Sequence, residues 1–446
     1  MCGGVGSGGD EKGPVGVGLI GFGTVGRGVV RILTEKGDLL RERLGAGLKL
    51  VKIADVDLER DRGIRVDPSL LTRDAREVIH DPRVDIVIEL VGGIEPARSF
   101  ILEALQVGKP VVTANKALLA EAGEEILNAL EKTGQDLGFE ASVGGGIPIL
   151  KALREGLVAN AVHGIYGIIN GTANYVLTMM EKEGISFQEA LSLAQAKGYA
   201  EADPTLDISG MDAAHKAAIL ATMAFGRYFK ARDVYVEGID RVDSKDILYA
   251  REFGYRVKLL AIIKGGSQVE IRVHPTMIPT DHSLAKVEGV YNAVYIEGDG
   301  VGSTMFYGRG AGEMPTASAV VADVVDIARD LLKGVSRRVP PFSYERLDRA
   351  VEVKPMEEVV TRYYMRFTAQ DRPGVLSKIS GILASRKISI ESVIQKGRRE
   401  EGTVPVVMMT HEARERDVRA ALEEIDRLDV IGKKTVLIRV EDGRDW

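Results

Sequence analysis

The sequence predicts an α/β protein with a doubly wound parallel sheet, an α+β domain and a small C-terminal module of ferredoxin-like βαββαβ order. Strand and helix signals alternate over residues 15–135, as they do in a doubly wound parallel sheet. From about residue 140, strands rich in Val, Ile and Tyr are interspersed with helices, which indicates an α+β arrangement. Residues 363–440 then follow the order strand, helix, strand, strand, helix, strand.

The first region contains four strand signals, of which VDIVIEL is apolar on both faces, as a buried parallel strand should be. The helix KALLAEAGEEILNALEKTG follows the fourth strand and is amphipathic, with a glycine at its end. The four strands are VGVGLIG (15–21), LKLVKIADVD (48–57), VDIVIEL (84–90) and KPVVTA (109–114).

The second region is predicted to form strands at VHGIYGIIN, VKLLAIIKG, VEIRVHPTMI and AVYIEGD, with helices at 187–197 and 211–227. A further helix at 317–333 is expected to pack back on the first domain. In the C-terminal module, the helices are DRPGVLSKISGILASRK and ERDVRAALEEIDRL, and the strands are YYMRFTAQ, ISIESVIQKG, VPVVMMTH and KKTVLIRVE.

Composition excludes several classes of function. The 446 residues are 45% hydrophobic and 28% charged with a net charge of −6, which is typical of a globular protein and argues against a nucleic-acid partner. No apolar stretch approaches the ~18 residues that a membrane span requires. Cys2 is the single cysteine, so no intramolecular disulfide can form, and the opening residues have no apolar signal-peptide core. We therefore expect a cytoplasmic protein.

The stretch GFGTVG predicts a Rossmann-type dinucleotide site. It matches G-x-G-x-x-G, follows a strand and opens a helix, whose N-terminal amides and dipole favour phosphate. A tight glycine turn without a ligand is the alternative. The candidate cofactor residues are Gly21, Phe22, Gly23, Thr24, Val25 and Gly26.

The end of the second strand carries a candidate ribose-binding acid. Either Asp55 or Asp57 can bind the adenosine ribose hydroxyls, and Asp57 is the one we assign. Carboxylates at this point favour NAD, although Arg60 and Arg62 could still receive the 2′-phosphate of NADP. Solvation of a strand end is the alternative for each of these residues.

The stretch TANK (113–116) lies where the fourth strand meets its helix. Lys116 stands in the first helical turn, where a cation opposes the helix dipole. Ligands of doubly wound sheets bind at this edge, so Thr113 and Lys116 are candidate cofactor residues. The alternative is a lysine that extends into solvent.

The stretch KGYAEADPTLDISGMDAAHK concentrates acids beside a lysine. Asp212 and Lys216 are four residues apart on an alanine-rich helix and therefore share a face. The alternative is a surface ion pair worth about 0.2–0.5 kcal/mol. Helix capping explains one acid but not the four at 201, 203, 207 and 212, whereas a ligand that bears an ammonium explains the rest.

Taken in this order, GFGTVG, TANK, FEASVGGGIPI, KGYAEADPTLDISGMDAAHK and YGRGAGEMPTASAV closely resemble the homoserine dehydrogenase family over residues 15–335. The tail, with DRPGVL after its first strand, resembles an ACT domain, an amino-acid-sensing module. The resemblance implies reversible reduction of L-aspartate 4-semialdehyde to L-homoserine with NAD or NADP, in threonine, methionine and isoleucine biosynthesis. A nucleotide-binding sensor without catalysis and a different dehydrogenase on the same scaffold are the rival hypotheses.

The resemblance also implies residue roles. Lys216 is similar to the residue that gives a proton to the carbonyl oxygen in reduction and accepts one in oxidation. Asp212 would bind substrate and orient Lys216, and Glu201 with Asp207 would receive the substrate ammonium. Lys116 resembles a second active-site lysine near nicotinamide and substrate. The remaining implied cofactor residues are Gly198 and Gly312.

A monovalent cation and an effector are implied in the same way. Na⁺ or K⁺ with a structural role would bind Glu140 and backbone carbonyls, and threonine is the expected effector of the ACT module. A homodimer or homotetramer is expected by analogy. Family members that use NADP often have arginine where this chain has Val56, which favours NAD. The carbonyls belong to Val143, Gly145 and Ile147, and the effector residues are Asp371 and Gly374.

These assignments divide the chain into six predicted segments. They are a flexible tail at 1–14, a dinucleotide-binding domain at 15–139, a substrate-binding and dimerisation domain at 140–316, a returning helix and connector at 317–352, a linker at 353–360 and an ACT regulatory domain at 361–446.

Overall fold

A computed structural model describes residues 13–395 and 402–443 of the protein. The predicted tail at 1–14 therefore lies almost wholly outside the described residues. The strands are β1 (Val15–Ile20), β2 (Leu48–Ala54), β3 (Leu71–Thr72), β4 (Ile86–Glu89), β5 (Val111–Thr113), β6 (Leu137–Gly138), β7 (Val162–Ile168), β8 (Tyr235–Val236), β9 (Tyr255–Lys264), β10 (Glu270–Pro279), β11 (Tyr291–Gly298), β12 (Gly302–Arg309), β13 (Val360–Gln370), β14 (Ile390–Gln395), β15 (Thr403–Thr410), β16 (Ala413–Arg414) and β17 (Ile431–Val440).

The helices are α1 (Thr24–Glu35), α2 (Gly37–Leu44), α3 (Ala75–Ile79), α4 (Ala97–Gln106), α5 (Lys116–Thr133), α6 (Ile149–Lys151), α7 (Gly171–Glu183), α8 (Phe187–Ala196), α9 (Thr205–Ile208), α10 (Met211–Phe225), α11 (Ser244–Glu252), α12 (Glu313–Lys333), α13 (Val375–Ser385) and α14 (Glu415–Ile425).

The chain forms two compact units. The first comprises the chain up to Val158 together with Thr222–Lys230 and Gly308–Leu347, and the second comprises the remaining segments. A parallel sheet of order β3-β2-β1-β4-β5-β6 runs through the first unit. The strand order reverses between β1 and β4, and ligands of doubly wound sheets bind at the carboxyl ends of strands beside such a reversal.

The helix α12 completes the core of the first unit. Its buried face packs against α1, and Val29 and Val30 of α1 share one core cluster with Ala317, Val320 and Val324. It begins at Glu313, four residues before the predicted start at 317. The prediction began after Pro315, but proline is tolerated in the first turn because the amides there have no partner within the helix.

The second unit contains one continuous mixed sheet. Its strands follow the order β12-β11-β7-β9-β10-β17-β13-β15-β14, with β8 paired to β10 and β16 paired to β13. The strands β17, β13, β15 and β14 belong to the C-terminal βαββαβ module, which also has its own core under α13 and α14. The module is joined to the rest of the sheet by parallel pairing of β17 with β10, where Thr276 faces Arg439.

Three helices of the second unit, α7, α9 and α11, were not predicted, and two of them begin at a capping side chain. The segment that starts at Asn170 follows β7 directly, and the sequence suggests a strand end, yet α7 begins there because the Asn170 side chain caps its first turn. In the same way, Asp243 caps α11. A capping side chain decides where α7 and α11 start, and its effect is not visible in hydrophobic periodicity.

Candidate functional site

The glycine loop between β1 and α1 has the geometry of a phosphate cradle. Gly21 adopts φ of +99°, which only glycine adopts readily. A Cβ at Gly26 would lie 2.2 Å from the Gly21 carbonyl oxygen, so glycine is required there for close packing of the helix on the strand. No side chain caps α1, and the position of a Cβ at Gly23 has no neighbour within 4 Å. The helix amides can therefore receive a pyrophosphate.

The end of β2 is tied to this loop by two side chains. Asp55 accepts a hydrogen bond from the Phe22 amide at 2.6 Å, and the Arg62 Nε donates to the Phe22 carbonyl at 2.6 Å. Arg62 also lies 3.2 Å from Asp55 and stacks on the Phe22 ring, so its guanidinium is already engaged. Asp57 is exposed, and its side chain accepts hydrogen bonds from the amides of Glu59 and Arg60. Asp57 remains the candidate ribose ligand.

A buried carboxylate, which the sequence prediction missed, positions the TANK stretch. Glu89 at the end of β4 is fully buried and accepts a hydrogen bond from the Thr113 hydroxyl at 2.7 Å. Burial raises the pKa of Glu89. Thr113 in turn accepts from the Asn115 amide, and the Asn115 side chain caps α5, whose first residue is Lys116. The sequence signal that could have identified Glu89 is an acidic residue at the end of an otherwise apolar strand.

The glycine-rich loop at 140–147 surrounds a second buried carboxylate. The two oxygens of Glu140 accept hydrogen bonds from the amides of Leu150 and Lys151 at 2.9 and 2.7 Å. Burial, reinforced by Asp323, raises the pKa of Glu140 to about 7. Gly145 has φ of +56°, and a Cβ there would lie 2.5 Å from the Gly310 carbonyl oxygen. Val143 and Ile147 lie buried in the same loop.

The acid and lysine of α10 form a buried ion pair. Asp212 and Lys216 are 9% and 8% exposed, and their side chains meet at 2.6 Å. The Lys216 Nζ also donates to the Ile169 carbonyl at 2.7 Å. Four alanines of the same helix are buried around the pair, which is therefore not a surface i,i+4 contact. These alanines are Ala213, Ala214, Ala217 and Ala218.

Asn170 joins two of the predicted acids and was also missed. Its Nδ2 donates to the Asp207 Oδ1 at 2.7 Å and to the Asp212 Oδ2 at 2.8 Å. Its Oδ1 accepts from the Ala173 amide at 2.7 Å, which caps α7. Asn170 is 4% exposed. One amide therefore fixes both carboxylates relative to each other, and an asparagine directly before a helix was the available signal.

Glu201 and Gly198 lie in a loop that is anchored nearby. The Tyr199 carbonyl accepts a hydrogen bond from the Thr172 hydroxyl at 2.7 Å. The centroid of the Tyr199 ring lies 5.0 Å from that of the Tyr175 ring on α7. Glu201 is exposed, and Gly198 adopts φ of +71°. Among the described residues, no side chain of the acid–lysine cluster donates a hydrogen bond to the Glu201 carboxylate.

The two remaining predicted glycines, one for the cofactor and one for the effector, directly precede helices. Gly312 precedes α12 with φ of +121°. Gly374 precedes α13 with φ of +88° and is exposed, as is Asp371. Beside them, Arg372 and Lys378 both pair with Asp429 on the surface.

Profiles of known families match three parts of the chain. One described as homoserine dehydrogenase matches residues 148–325, and one described as homoserine dehydrogenase, NAD binding domain, matches residues 21–140. An ACT domain profile matches residues 363–430. A homoserine dehydrogenase of Neisseria gonorrhoeae is 45% identical over 434 residues, which are 97% of this chain and 100% of that protein. The chain belongs to the homoserine dehydrogenase family.

Solved structures of the family share the fold. A homoserine dehydrogenase from Thiobacillus denitrificans is 45% identical with a TM-score of 0.91, over 96% of this chain and 98% of that one. A hyperthermophilic archaeal homoserine dehydrogenase in complex with NADPH is 29% identical with a TM-score of 0.61, over 72% of this chain and 98% of that one. The predicted fold class, with its Rossmann-type domain and ACT module, is confirmed.

The predicted activity is confirmed as well. The protein is an NAD(P)-dependent oxidoreductase that interconverts L-aspartate 4-semialdehyde and L-homoserine, a step of amino-acid biosynthesis. Its ACT domain indicates regulation by an amino acid. Among the described residues, no helix has both the length and the apolar content needed to cross a bilayer. Within residues 13–395 and 402–443, no cluster of three or more His, Cys, Asp or Glu side chains could hold a metal ion.

Two substitutions separate the roles of Asn170. Serine retains a helix cap but cannot bridge Asp207 and Asp212, whereas alanine loses both functions. We expect Asn170→Ser and Asn170→Ala to raise the KM for homoserine about tenfold or more. Urea unfolding should show Asn170→Ala to be less stable than Asn170→Ser by about 1 kcal/mol.

Cofactor affinity provides the control for these variants. Asn170 is not among the residues assigned to the cofactor, so NADH binding followed by fluorescence should be unchanged. A wild-type KM for homoserine in Asn170→Ser would show that the bridge does not position the acids.

Proposed function

We propose that Lys216 transfers the proton that accompanies hydride transfer. An ammonium has three N–H donors, and two of those of Lys216 are directed at Asp212 and the Ile169 carbonyl. The third N–H can meet the substrate oxygen, which is the observation that carries the proposal. In reduction, the hydride adds to the aldehyde carbon, and Lys216 gives its proton to the carbonyl oxygen. In oxidation, it accepts the hydroxyl proton.

The acids supply the charge that holds the amino acid. Asp212 keeps Lys216 oriented. Asn170 joins Asp207 to Asp212. Asp207 and Glu201 then face the substrate ammonium. Paired carboxylates suit an ammonium because each contributes a charge-assisted hydrogen bond. The hydride itself is the chemistry of the bound nicotinamide. Lys116 at the start of α5 is proposed as a second cationic residue for cofactor and substrate.

Replacement of Lys216 tests the proton-transfer role. We expect Lys216→Ala to reduce kcat by about 10²–10⁴-fold, because the general acid–base group is lost. NADH affinity should remain at the wild-type value. Lys182→Ala, which removes a surface lysine paired with Glu288, serves as the control and should retain kcat. Wild-type turnover in Lys216→Ala would refute the assignment.

We propose NAD as the preferred cofactor. Val56 is 87% exposed at the end of β2, where NADP-using members often have arginine. Arg62 is engaged with Phe22 and Asp55 and is therefore not available for a 2′-phosphate. Asp57 offers a carboxylate, which accepts the ribose hydroxyls of NAD and repels a phosphate.

A single charge should shift this preference. In wild type, we expect kcat/KM for NAD to exceed that for NADP. Val56→Arg should move the ratio toward NADP by about tenfold, because guanidinium binds phosphate in a bidentate manner. Val56→Gln has similar length without charge and should leave the ratio near that of wild type. Steady-state kinetics with both cofactors measure it, and a wild-type preference for NADP would contradict the proposal.

A structural monovalent cation fits the loop at 140–147. The carboxylate of Glu140 is buried, and a neighbouring cation would stabilise its ionised form. The glycines allow backbone carbonyls to turn toward a hard cation, which prefers oxygen ligands. We assign Glu140 and the carbonyls of Val143, Gly145 and Ile147 as its ligands, with Na⁺ or K⁺ as the ion.

The cation should be visible in the pH dependence of stability. The pKa of Glu140 is about 7 in the folded protein against 4.5 ordinarily, so without a cation stability falls as pH rises through this interval, by roughly 3 kcal/mol. Na⁺ or K⁺ should reduce the fall. Chemical unfolding in a buffer with only a bulky organic cation measures it.

Glu140→Gln isolates the contribution of this carboxylate. The variant cannot titrate at this position, so it should lose both the fall in stability and the response to added Na⁺ or K⁺. An identical response to the cation in Glu140→Gln and wild type would contradict the proposed site.

Three further assignments stay predictions. The effector is proposed to be threonine, with Asp371 and Gly374 at the start of α13 as its residues. A homodimer or homotetramer is proposed for the assembly, which light scattering would determine. A cytoplasmic location rests on composition alone.

A further inference from the structure

A cleft of about 630 Å³ lies between the ACT module and the segment that follows β8. On one side it is lined by the β8 segment, including Val236, Asp240 and Arg241. On the other side it is lined by α14 and β17, including Leu422, Glu423 and Lys434. Both walls belong to the second unit of the fold. The volume is in the range of small-molecule sites, which is roughly 300–1,000 Å³.

The cleft offers charges of both signs beside an apolar wall. Among the described residues, the side chains of four charged lining residues make no ion pair or hydrogen bond with another side chain. Val236, Leu422 and Leu437 provide apolar surface between them. A zwitterion with a small side chain matches this pattern, because its carboxylate needs a cation and its ammonium an anion. The four charged residues are Asp240, Arg241, Glu423 and Lys434.

The floor of the cleft, which is the backbone at Gly238 and Ile239, contacts the segment that carries the proposed substrate-binding acids. The Ile239 amide donates to the Ile208 carbonyl at 2.9 Å. A Cβ at Gly238 would lie 2.4 Å from the same carbonyl oxygen, so the two backbones are in direct contact. Ile208 directly follows Asp207, and α10 with Asp212 begins three residues later. Movement of the floor therefore displaces the backbone between the two acids.

The ACT module holds the other end of this floor. Glu237, adjacent to Gly238, pairs with Arg439 of β17 at 2.9 Å and with Arg419 of α14 at 2.9 Å. Burial alone would raise the pKa of Glu237, but hydrogen bonds from Arg439 hold it below its ordinary value, so the residue is a carboxylate. Arg439 is fully buried and also pairs with Glu415. Removing one partner from such a buried ion pair is costly. Glu237 therefore stays paired with Arg439, and the floor moves together with the ACT module.

We propose that this cleft binds a free α-amino acid and that its occupancy shifts Gly238 and Ile208, and thereby Asp207 and Asp212. The regulatory part rests on the proposed roles of those acids. The ligand carboxylate lies against Arg241 and Lys434, and its ammonium against Asp240 and Glu423. The cleft is a second amino-acid site besides the one proposed at Asp371 and Gly374, because that turn contributes no residue to the cleft.

Adjacent residues on the same elements provide matched controls. Lys434 lines the cleft whereas Lys433 does not, and Glu423 lines it whereas Glu424 does not. Isothermal titration of the full chain with L-threonine, and then with each other protein amino acid, measures binding without turnover. We expect one of them to bind, and Lys434→Glu and Glu423→Lys each to weaken it about tenfold or more. Lys433→Glu and Glu424→Lys should leave the affinity within about twofold.

Each result is decisive for the cleft separately from catalysis. If every amino acid that binds loses its affinity in Asp371→Asn and keeps it in Lys434→Glu, all binding belongs to the turn and the proposal is overturned. The proposal is also overturned if no amino acid binds to the wild-type protein. That conclusion holds even if light scattering shows that Lys434→Glu dissociates an oligomer. The titrations contain no substrate, so they hold even if Lys216 is not the proton donor. Likewise, failure of the cleft leaves the kinetics of Lys216→Ala unaffected.

Discussion

The buried ion pair between Asp212 and Lys216 is the constraint on which the proposed substrate site depends. Taking two charges out of water costs several kcal/mol per ion in a real protein, and only good geometry with further hydrogen bonds offsets this cost. The protein supplies that geometry through the Ile169 carbonyl and the Asn170 amide, both at the junction of β7 and α7. Small alanines around the pair allow the helix to be buried together with its lysine.

The same constraint explains why the site is assembled from three separate segments. Asn170 is the cap of α7, Asp207 lies in α9 and Asp212 opens α10. A single amide side chain satisfies one carboxylate oxygen in each acid, and neither acid is left as an unpaired buried charge. Positions of the carboxylates are thereby fixed before substrate arrives, which reduces the cost of ordering them during the reaction.

Local patterns predicted much of this architecture because they have local causes. The glycines of GFGTVG, the alternating elements and the four-residue spacing of Asp212 and Lys216 are all features of short stretches. Asn170, Glu89 and the contacts of Arg62 were missed because their partners are distant in sequence, as with Thr113 for Glu89. The joining of β17 to β10 was missed for the same reason, since periodicity identifies a strand but not the strand beside it. The buried ion network around Arg439 reinforces this junction.

The most direct measurement is a crystal structure of the protein with L-homoserine bound. We expect the hydroxyl oxygen of homoserine to lie about 3 Å from the Lys216 Nζ. It should accept a hydrogen bond from the N–H that is not directed at Asp212 or Ile169. The substrate ammonium should lie against Asp207 and Glu201. A complex in which the hydroxyl is out of reach of Lys216, while that lysine stays paired with Asp212, would contradict the role given to this ion pair.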